Sequence, residues 1–248
     1  MKMKSVTKLA LVAGIVLCTN SIAIGAPETA SKSGEMDKTK ITQRSLTIAK
    51  GELTDLILAS KEVYRRFTTG ENPRISKAEI QKAKCLAIFP GVKKVALVIG
   101  GKHGDGVVTC TTPDSNDWSR VGFVDLRGAS FGAQLGVKSS DVVMLFTSEQ
   151  ARENLKKGKV RFGTDLGYTF GNKPRSVESD KPEDVIVYSD SEGAFASASL
   201  KGSYVVADDE ELKAFYEEET NTLLSVLTVK PSENTETVVE ELLLLLPS

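Results

Sequence analysis

One histidine, one tryptophan and three cysteines stand among 248 residues. A single histidine rules out a two-histidine metal centre and leaves no choice of imidazole partners for acid–base work. Aromatic residues make up only 6% of the chain, and the formal net charge is −1. So small a net charge points by itself to neither nucleic acid nor an acidic substrate. No apolar run approaches the roughly 20 residues that a membrane-spanning helix needs. What is present, 40% hydrophobic and 26% charged residues, describes an ordinary globular chain long enough for one large or two small domains.

The search for catalytic sets is nearly empty. No G-x-S-x-G elbow occurs. The stretch Gly101-Lys102-His103-Gly104-Asp105-Gly106 reverses the G-x-G-x-x-G spacing, and it lacks the G-K-[ST] ending of a phosphate loop. Cys85 and Cys110, without a second pair, make a poor zinc site. No carboxylate spacing selects a pair for glycoside hydrolysis. His103 reads as a solvated loop residue. The expectation is a chain that is not an enzyme and has no cofactor or metal.

Residues 1–26 read as a secretory signal peptide. Lys2, Lys4 and Lys8 form the positive start, Leu9 to Leu17 the apolar stretch, and Ser21-Ile22-Ala23 or Ala23-Ile24-Gly25 the cleavage region. The rival is a lipoprotein signal with Cys18 as the lipidated residue, against which stands the bulky Leu17 before it. The expected location is periplasmic or secreted, peripheral to a membrane. There Cys85 and Cys110 are either disulfide-bonded or a pair of buried thiols, and a hairpin between them favours the bond.

Residues 27–41 are polar and read as a flexible linker. From Thr42 to Phe67, Leu46, Ala49, Leu53, Leu56, Ser60, Val63 and Phe67 recur at three and four residues, an amphipathic helix. Such a helix either packs on the domain core or lies on a membrane surface. Ser76 with Glu79 has capping-box spacing for a second helix. Cys85 to Phe89 reads as a strand broken by Pro90-Gly91, and Val95 to Ile99 as a second strand. Gly100 to Gly106 follows as a glycine-rich connection, and Val107-Val108 resumes an extended pattern. Turn residues follow at 113–117 and core candidates at Val121, Phe123 and Val124. Gly128, Gly132 and Gly136 mark bends, bulges or close backbone approach in a strand. Val142 to Phe146 is a buried strand, Ser148 opens a helix that Gly158 stops, and Val160 to Phe170 and Val185 to Tyr188 are extended. Ala194 to Val206 gives one or two more strands. Asp208 caps an acidic helix reaching Tyr216, and Val238 to Leu246 is a leucine-rich terminal helix. Helices first and strands after, without βαβ alternation, predict an α+β fold, with a mostly antiparallel, glycine-rich sheet or barrel and short helices. The main domain is expected over 42–222, with an acidic, leucine-rich tail over 223–248. From Ala207 onward there are eleven acidic and two basic residues, so the body before it is mildly basic.

Several motifs, in order, resemble the SYLF domain. They are Ala83-Lys84-Cys85-Leu86-Ala87-Ile88-Phe89-Pro90-Gly91-Val92-Lys93-Lys94, then Gly100-Gly101, Gly104-Asp105-Gly106-Val107-Val108 and Trp118-Ser119. The likeness continues through Phe123, Ser130-Phe131-Gly132-Ala133-Gln134-Leu135-Gly136, Asp141-Val142-Val143, and Tyr188-Ser189-Asp190-Ser191-Glu192-Gly193-Ala194-Phe195-Ala196. It closes with Leu200-Lys201-Gly202 and Phe215-Tyr216, so it covers about Arg44 to Tyr216. The chain departs from the family pattern at Arg120-Val121, across Tyr168 to Pro174, and at Ser197.

The resemblance implies a non-enzymatic lipid-binding module. Eukaryotic members bind phosphoinositide membranes, and fungal members are also described as actin-binding. For an exported member the implied partner is an anionic phospholipid membrane, engaged through a basic patch and the amphipathic helix. The residues singled out are Arg65, Arg66, Lys93, Lys94 and Lys102. The alternative is a protein-interaction or structural envelope module without lipid specificity, and no nucleic-acid partner is expected.

Overall fold

The computed structural model describes residues 31–96, 99–112, 117–131, 136–171, 183–190, 200, 202–218, 221–232 and 235–247. The compact unit runs from Gln43 to Ser248, and residues up to Thr42 form a separate unit. The helices are α1 (Ser31–Thr68), α2 (Lys77–Lys82), α3 (Glu149–Lys156), α4 (Asp209–Tyr216), α5 (Leu223–Val226) and α6 (Thr237–Leu243). The strands are β1 (Cys85–Ala96), β2 (Ile99–Cys110), β3 (Gly122–Phe131), β4 (Gly136–Phe146), β5 (Lys159–Arg161), β6 (Gly167–Phe170), β7 (Glu183–Ser189) and β8 (Tyr204–Ala207). This is the expected α+β architecture.

All eight strands join one sheet in the order β5-β8-β3-β2-β1-β4-β7-β6, antiparallel except for β6 on β7. The two edge strands follow one another in sequence, and a Phe162–Leu166 bridge closes the turn between them. A sheet whose edges meet through so short a turn must curl. Its inner face carries a stack of Phe89, Leu126, Met144, Val187 and Val205, all buried. Phe162, Tyr168 and Phe170 link the two edges by edge-on ring contacts. On the outer face Ile88, Val107, Phe123 and Val143 lie in register and receive the helices. Phe215 of α4 meets Phe123 edge-on, and Tyr188 donates to Glu79 of α2.

From Leu53 to Phe67 the apolar stripe of α1 is spent on this core, while Leu46 is exposed. Leu53, Ile57, Val63, Tyr64 and Phe67 are buried. Of the two roles open to an amphipathic helix, packing accounts for its stripe from Leu53 to Phe67, so that stripe is not available for insertion into a bilayer. The helix also begins at Ser31, inside the stretch expected as linker, where Glu35, Met36, Lys38 and Lys40 are good helix formers.

Three further expectations are corrected. The glycines from Gly100 to Gly106 lie within β2 and form no connection, and β1 runs through Pro90-Gly91 as a bulge. Glycine is needed at 106 for closeness, since a Cβ there would meet the Ile88 carbonyl oxygen at 2.6 Å. The segment 223–248, expected as a tail, packs on the body. Val239 and Leu242 are buried, Trp118 Nε1 donates to the Pro247 carbonyl (2.9 Å), and Tyr64 donates to the Leu245 carbonyl (3.3 Å). Ion pairs from Lys50 to Glu236 and from Lys61 to Glu241 hold α1 to the same segment. The signal peptide, the 113–116 part of the expected turn and the 194–199 part of the expected Ala194–Val206 strands lie outside the described residues.

Candidate functional site

The strand register decides which of the singled-out cations share a face. Lys93 pairs with His103, and His103 with Arg127. One residue on, Lys94 pairs with Lys102 on one side and with Lys138 on the other. Side chains alternate along a strand, so these two transverse rows point to opposite faces. Along β2, His103 and Asp105 are exposed while Lys102, Gly104 and Gly106 are buried. The row with Lys93 is therefore outer, and the row with Lys94 and Lys102 is inner.

Both rows lie near one end of the sheet. The β1–β2 and β3–β4 connections leave from that end, next to the Ala96–Gly136 and Ile99–Phe131 pairs. Arg65 and Arg66 occupy the last turn of α1. Arg66 engages the carboxylate of Asp141, and the other oxygen of Asp141 accepts the Gly91 N–H at 2.7 Å. That contact pins the end of α1 beside the β1 bulge. Asp141 stands two residues from Ser139, the β4 partner of Lys93, a step of about 7 Å along the strand. Arg65 is exposed, 3.6 Å from Glu62.

The five candidates thus divide. Arg65, Arg66 and Lys93 gather on the outer face, and Lys94 and Lys102 on the inner. Spacing alone could have found the division, because residues 93 and 94 cannot share a face of one strand. Sequence reasoning missed Arg127, which extends the outer row from a strand distant in sequence. It also missed Ser203, whose side chain fills the space that a Cβ on Gly128 would take.

Electrostatics differ between the faces. On the outer face carboxylates answer the cations. Arg127 engages Asp125, and His103 Nε2 lies 3.1 Å from Asp105 Oδ1. Burial raises the Asp125 carboxyl despite Arg127. Nearby, Glu52 and Asp55 of α1, Asp105 of β2, and Asp208, Glu210 and Glu211 of α4 line an open groove of about 720 Å³. Burial and then the charges of Asp208, Asp125, Asp105 and Glu52 push Glu211 up to about 7. On the inner face Lys102 is only 3% exposed. Burial, and then the charge of Lys94, push its ammonium down to about 8.

Cys85 and Cys110 stand opposite each other in the β1–β2 pairing and are bonded as a disulfide. The bond ties β1 to β2 at the end of the hairpin remote from the lysines. Among the described residues no group of three or more His, Cys, Asp or Glu is placed to hold a metal, and no helix is long and apolar enough to cross a membrane.

The site is thus the loop-bearing end of a curled α+β sheet, with helices on its outer face and cations in two rows. Residues 127–246 match the family described as Ysc84, Las17-binding protein actin regulator. The chain belongs to this Ysc84, or SYLF-domain, family. It is 30% identical over 165 residues to human SH3 domain-containing YSC84-like protein 1, covering 62% of this chain and 48% of that protein. It is also 30% identical over 144 residues to Protein YSC84 of Saccharomyces cerevisiae (55% of this chain, 30% of that protein). To LAS seventeen-binding protein 3 of the same yeast it is 27% identical over 144 residues, 55% of this chain and 31% of that protein. The chain spans at most about half the length of these curated relatives. No solved structure matches.

Proposed function

We propose that this chain is a non-enzymatic module that presents the β1–β2 end of its sheet, with the last turn of α1, to an anionic membrane surface. The observation that carries the reading is the gathering of Lys93 and Lys94 in two adjacent register rows of that end, with Arg65 and Arg66 beside them, while Lys102 in the Lys94 row is buried and adds no surface charge. A surface meeting the sheet end-on draws on both faces, because long lysine side chains reach along a strand toward the headgroups. Each such cation near an anionic leaflet contributes about 1 kcal/mol. Arg66 is already engaged by Asp141, so the pull is modest, and salt weakens it. With its stripe from Leu53 to Phe67 committed to the core, that part of α1 contributes charge and no insertion.

The amino-terminal sequence supports export, so the membrane in question is that of a cell envelope. Amino-terminal sequencing of the secreted protein tests this: a start between residues 24 and 27 fits, and a lipidated Cys18 contradicts it. Flotation with phosphatidylglycerol or phosphatidylcholine vesicles tests the membrane reading. Binding to the anionic vesicles at low salt, released at high salt, is expected. Failure to float with either overturns it.

A second reading, a module for a protein partner, is favoured by exposed apolar residues. Leu224, Val229, Leu244 and Leu245 are exposed near a groove lined by Trp118, Pro231 and Leu243. The relatives' names include Las17-binding and LAS seventeen-binding, which concern those proteins. Pull-down of a partner that is lost on Leu244→Glu supports this reading.

A further inference from the structure

The groove of about 720 Å³ between α1 and α4 is a gap that the two helices leave unfilled over the outer face of the sheet. Its size falls within the range of ligand-binding clefts. Its floor is apolar: Ala49 and Ala59 of α1, Ala214 of α4 and Pro90 of the β1 bulge line it. Three of these four are alanines on helices, and side chains that end at Cβ leave the depth open. Six carboxylates form the walls: Glu52, Asp55, Asp105, Asp208, Glu210 and Glu211. No lysine or arginine stands among the lining residues.

Two of the six are engaged within the protein. Asp105 lies 3.1 Å from His103, and Asp208 accepts the Glu211 backbone N–H. Glu52, Asp55 and Glu210 are exposed. Arg127, the cation on the neighbouring strand, is spent on Asp125. The crowding is felt at Glu211, which burial and then Asp208, Asp125, Asp105 and Glu52 push up to about 7. A bare metal ion does not answer this arrangement, because among the described residues no three such side chains converge to hold one. The negative charge is spread along the walls of an apolar channel. What fits is an occupant with spread positive charge and an apolar side.

We propose that this groove docks a cationic amphipathic segment of a partner protein, with its apolar side on the alanines and Pro90 and its lysines or arginines on the wall carboxylates. An amphipathic helix laid into a groove is a recurring mode of recognition. Charge complementarity selects the class. An anionic surface is repelled here, and a wholly apolar segment would strip water from the carboxylates without giving them partners. A cationic segment buries apolar area where the alanines leave depth and answers the like charges together. The surface is separate from the exposed leucines beside Trp118, and it does not rest on the membrane reading.

The experiment is calorimetric titration of the protein at low salt with a short helical peptide of leucine and lysine in amphipathic order, beside the same residues in scrambled order. Saturable binding of the first and much weaker binding of the second are expected. Glu52→Gln/Asp55→Asn should weaken binding about tenfold, each exposed pair being worth up to about fivefold. Glu71→Gln/Glu240→Gln removes the same charge from exposed positions outside the groove and should leave binding close to the wild type. Ala59→Tyr fills the groove without changing its charge and should also weaken binding. Binding should tighten from about pH 6 to about pH 8 as Glu211 loses its proton, and Glu211→Gln should lose that tightening. The substituted residues 52, 55 and 59 are exposed, so melting temperatures near that of the wild type are expected and separate lost docking from lost fold. No binding of the amphipathic peptide by the wild type overturns the proposal. So does an equal loss in both charge pairs, or undiminished binding by Ala59→Tyr. None of these results touches the flotation outcome, which rests on the outer cations.

Discussion

Glu211 is the group whose titration should be felt most clearly in stability. It sits in the first turn of α4, where its backbone N–H donates to the capping Asp208 side chain at 2.9 Å. Its carboxyl faces the groove that also holds Glu52, Asp55, Asp105 and Asp208. Two cations of this region are used elsewhere: Arg127 on Asp125, and Lys50 on Glu217 and Glu236. Burial and these like charges move the group from 4.5 to about 7. A raised carboxyl means that the folded protein holds the proton more tightly than the unfolded chain. The stability this confers is complete below about pH 4.5 and is lost as pH rises through 7. Two to three pH units correspond to about 3–4 kcal/mol at most, and solvent screening of a part-exposed group reduces this to about 1–2 kcal/mol. Glu211→Gln should remove the dependence. In urea unfolding at pH 4.5, 6, 7 and 8, the variant should gain about 1–2 kcal/mol over the wild type at pH 8 and almost nothing at pH 4.5. Wild-type and variant curves that stay parallel across the range would refute the reasoning, as would a variant less stable at pH 8.

Lys102→Met should stabilise the protein at pH 7 by up to about 3 kcal/mol, because a buried ammonium moved from 10.5 to about 8 disfavours the fold when charged. The gain should shrink between pH 8 and 10.5, where the wild-type lysine is already neutral in the fold; a constant gain across that window counts against it. Reducing Cys85–Cys110, or replacing both by serine, should cost about 3.5 kcal/mol by loop-closure entropy for a separation of 25 residues, and unchanged denaturant midpoints would contradict this. Gly106→Ala should destabilise by roughly 2 kcal/mol or more, read in the same assay, because the added methyl meets Phe89 and the Ile88 carbonyl.

The fold was legible wherever a local signal carried it. The α1 stripe, the Ser76–Glu79 capping box, the Ser148 and Asp208 caps and the Val142–Phe146 strand all stand as their residue patterns require. The hairpin was misplaced because glycine has two uses that look alike in sequence. At Gly106 it answers a close neighbour strand, not a turn, and that neighbour is set by the β1 bulge at Pro90-Gly91. The docking of 223–247 was hidden because Trp118 and Tyr64, which hold it, are far away in sequence. The candidate cations were found as residues but not as surfaces. Period-two alternation separates Lys93 from Lys94, while the Gly128–Ser203 approach depends on β8 lying beside β3. No sequence pattern announces that pairing.

The account stands most directly on the cations at the loop-bearing end. Vesicle co-sedimentation of the wild type and of Arg65→Glu/Lys93→Glu, with phosphatidylglycerol vesicles at low salt, measures their contribution. Both side chains are exposed, so the double variant should fold with the wild-type melting temperature within a few degrees. Two reversals remove about 2 kcal/mol of attraction and add repulsion, so binding should fall by about thirtyfold or more. A double variant that sediments with these vesicles as well as the wild type does would contradict the account.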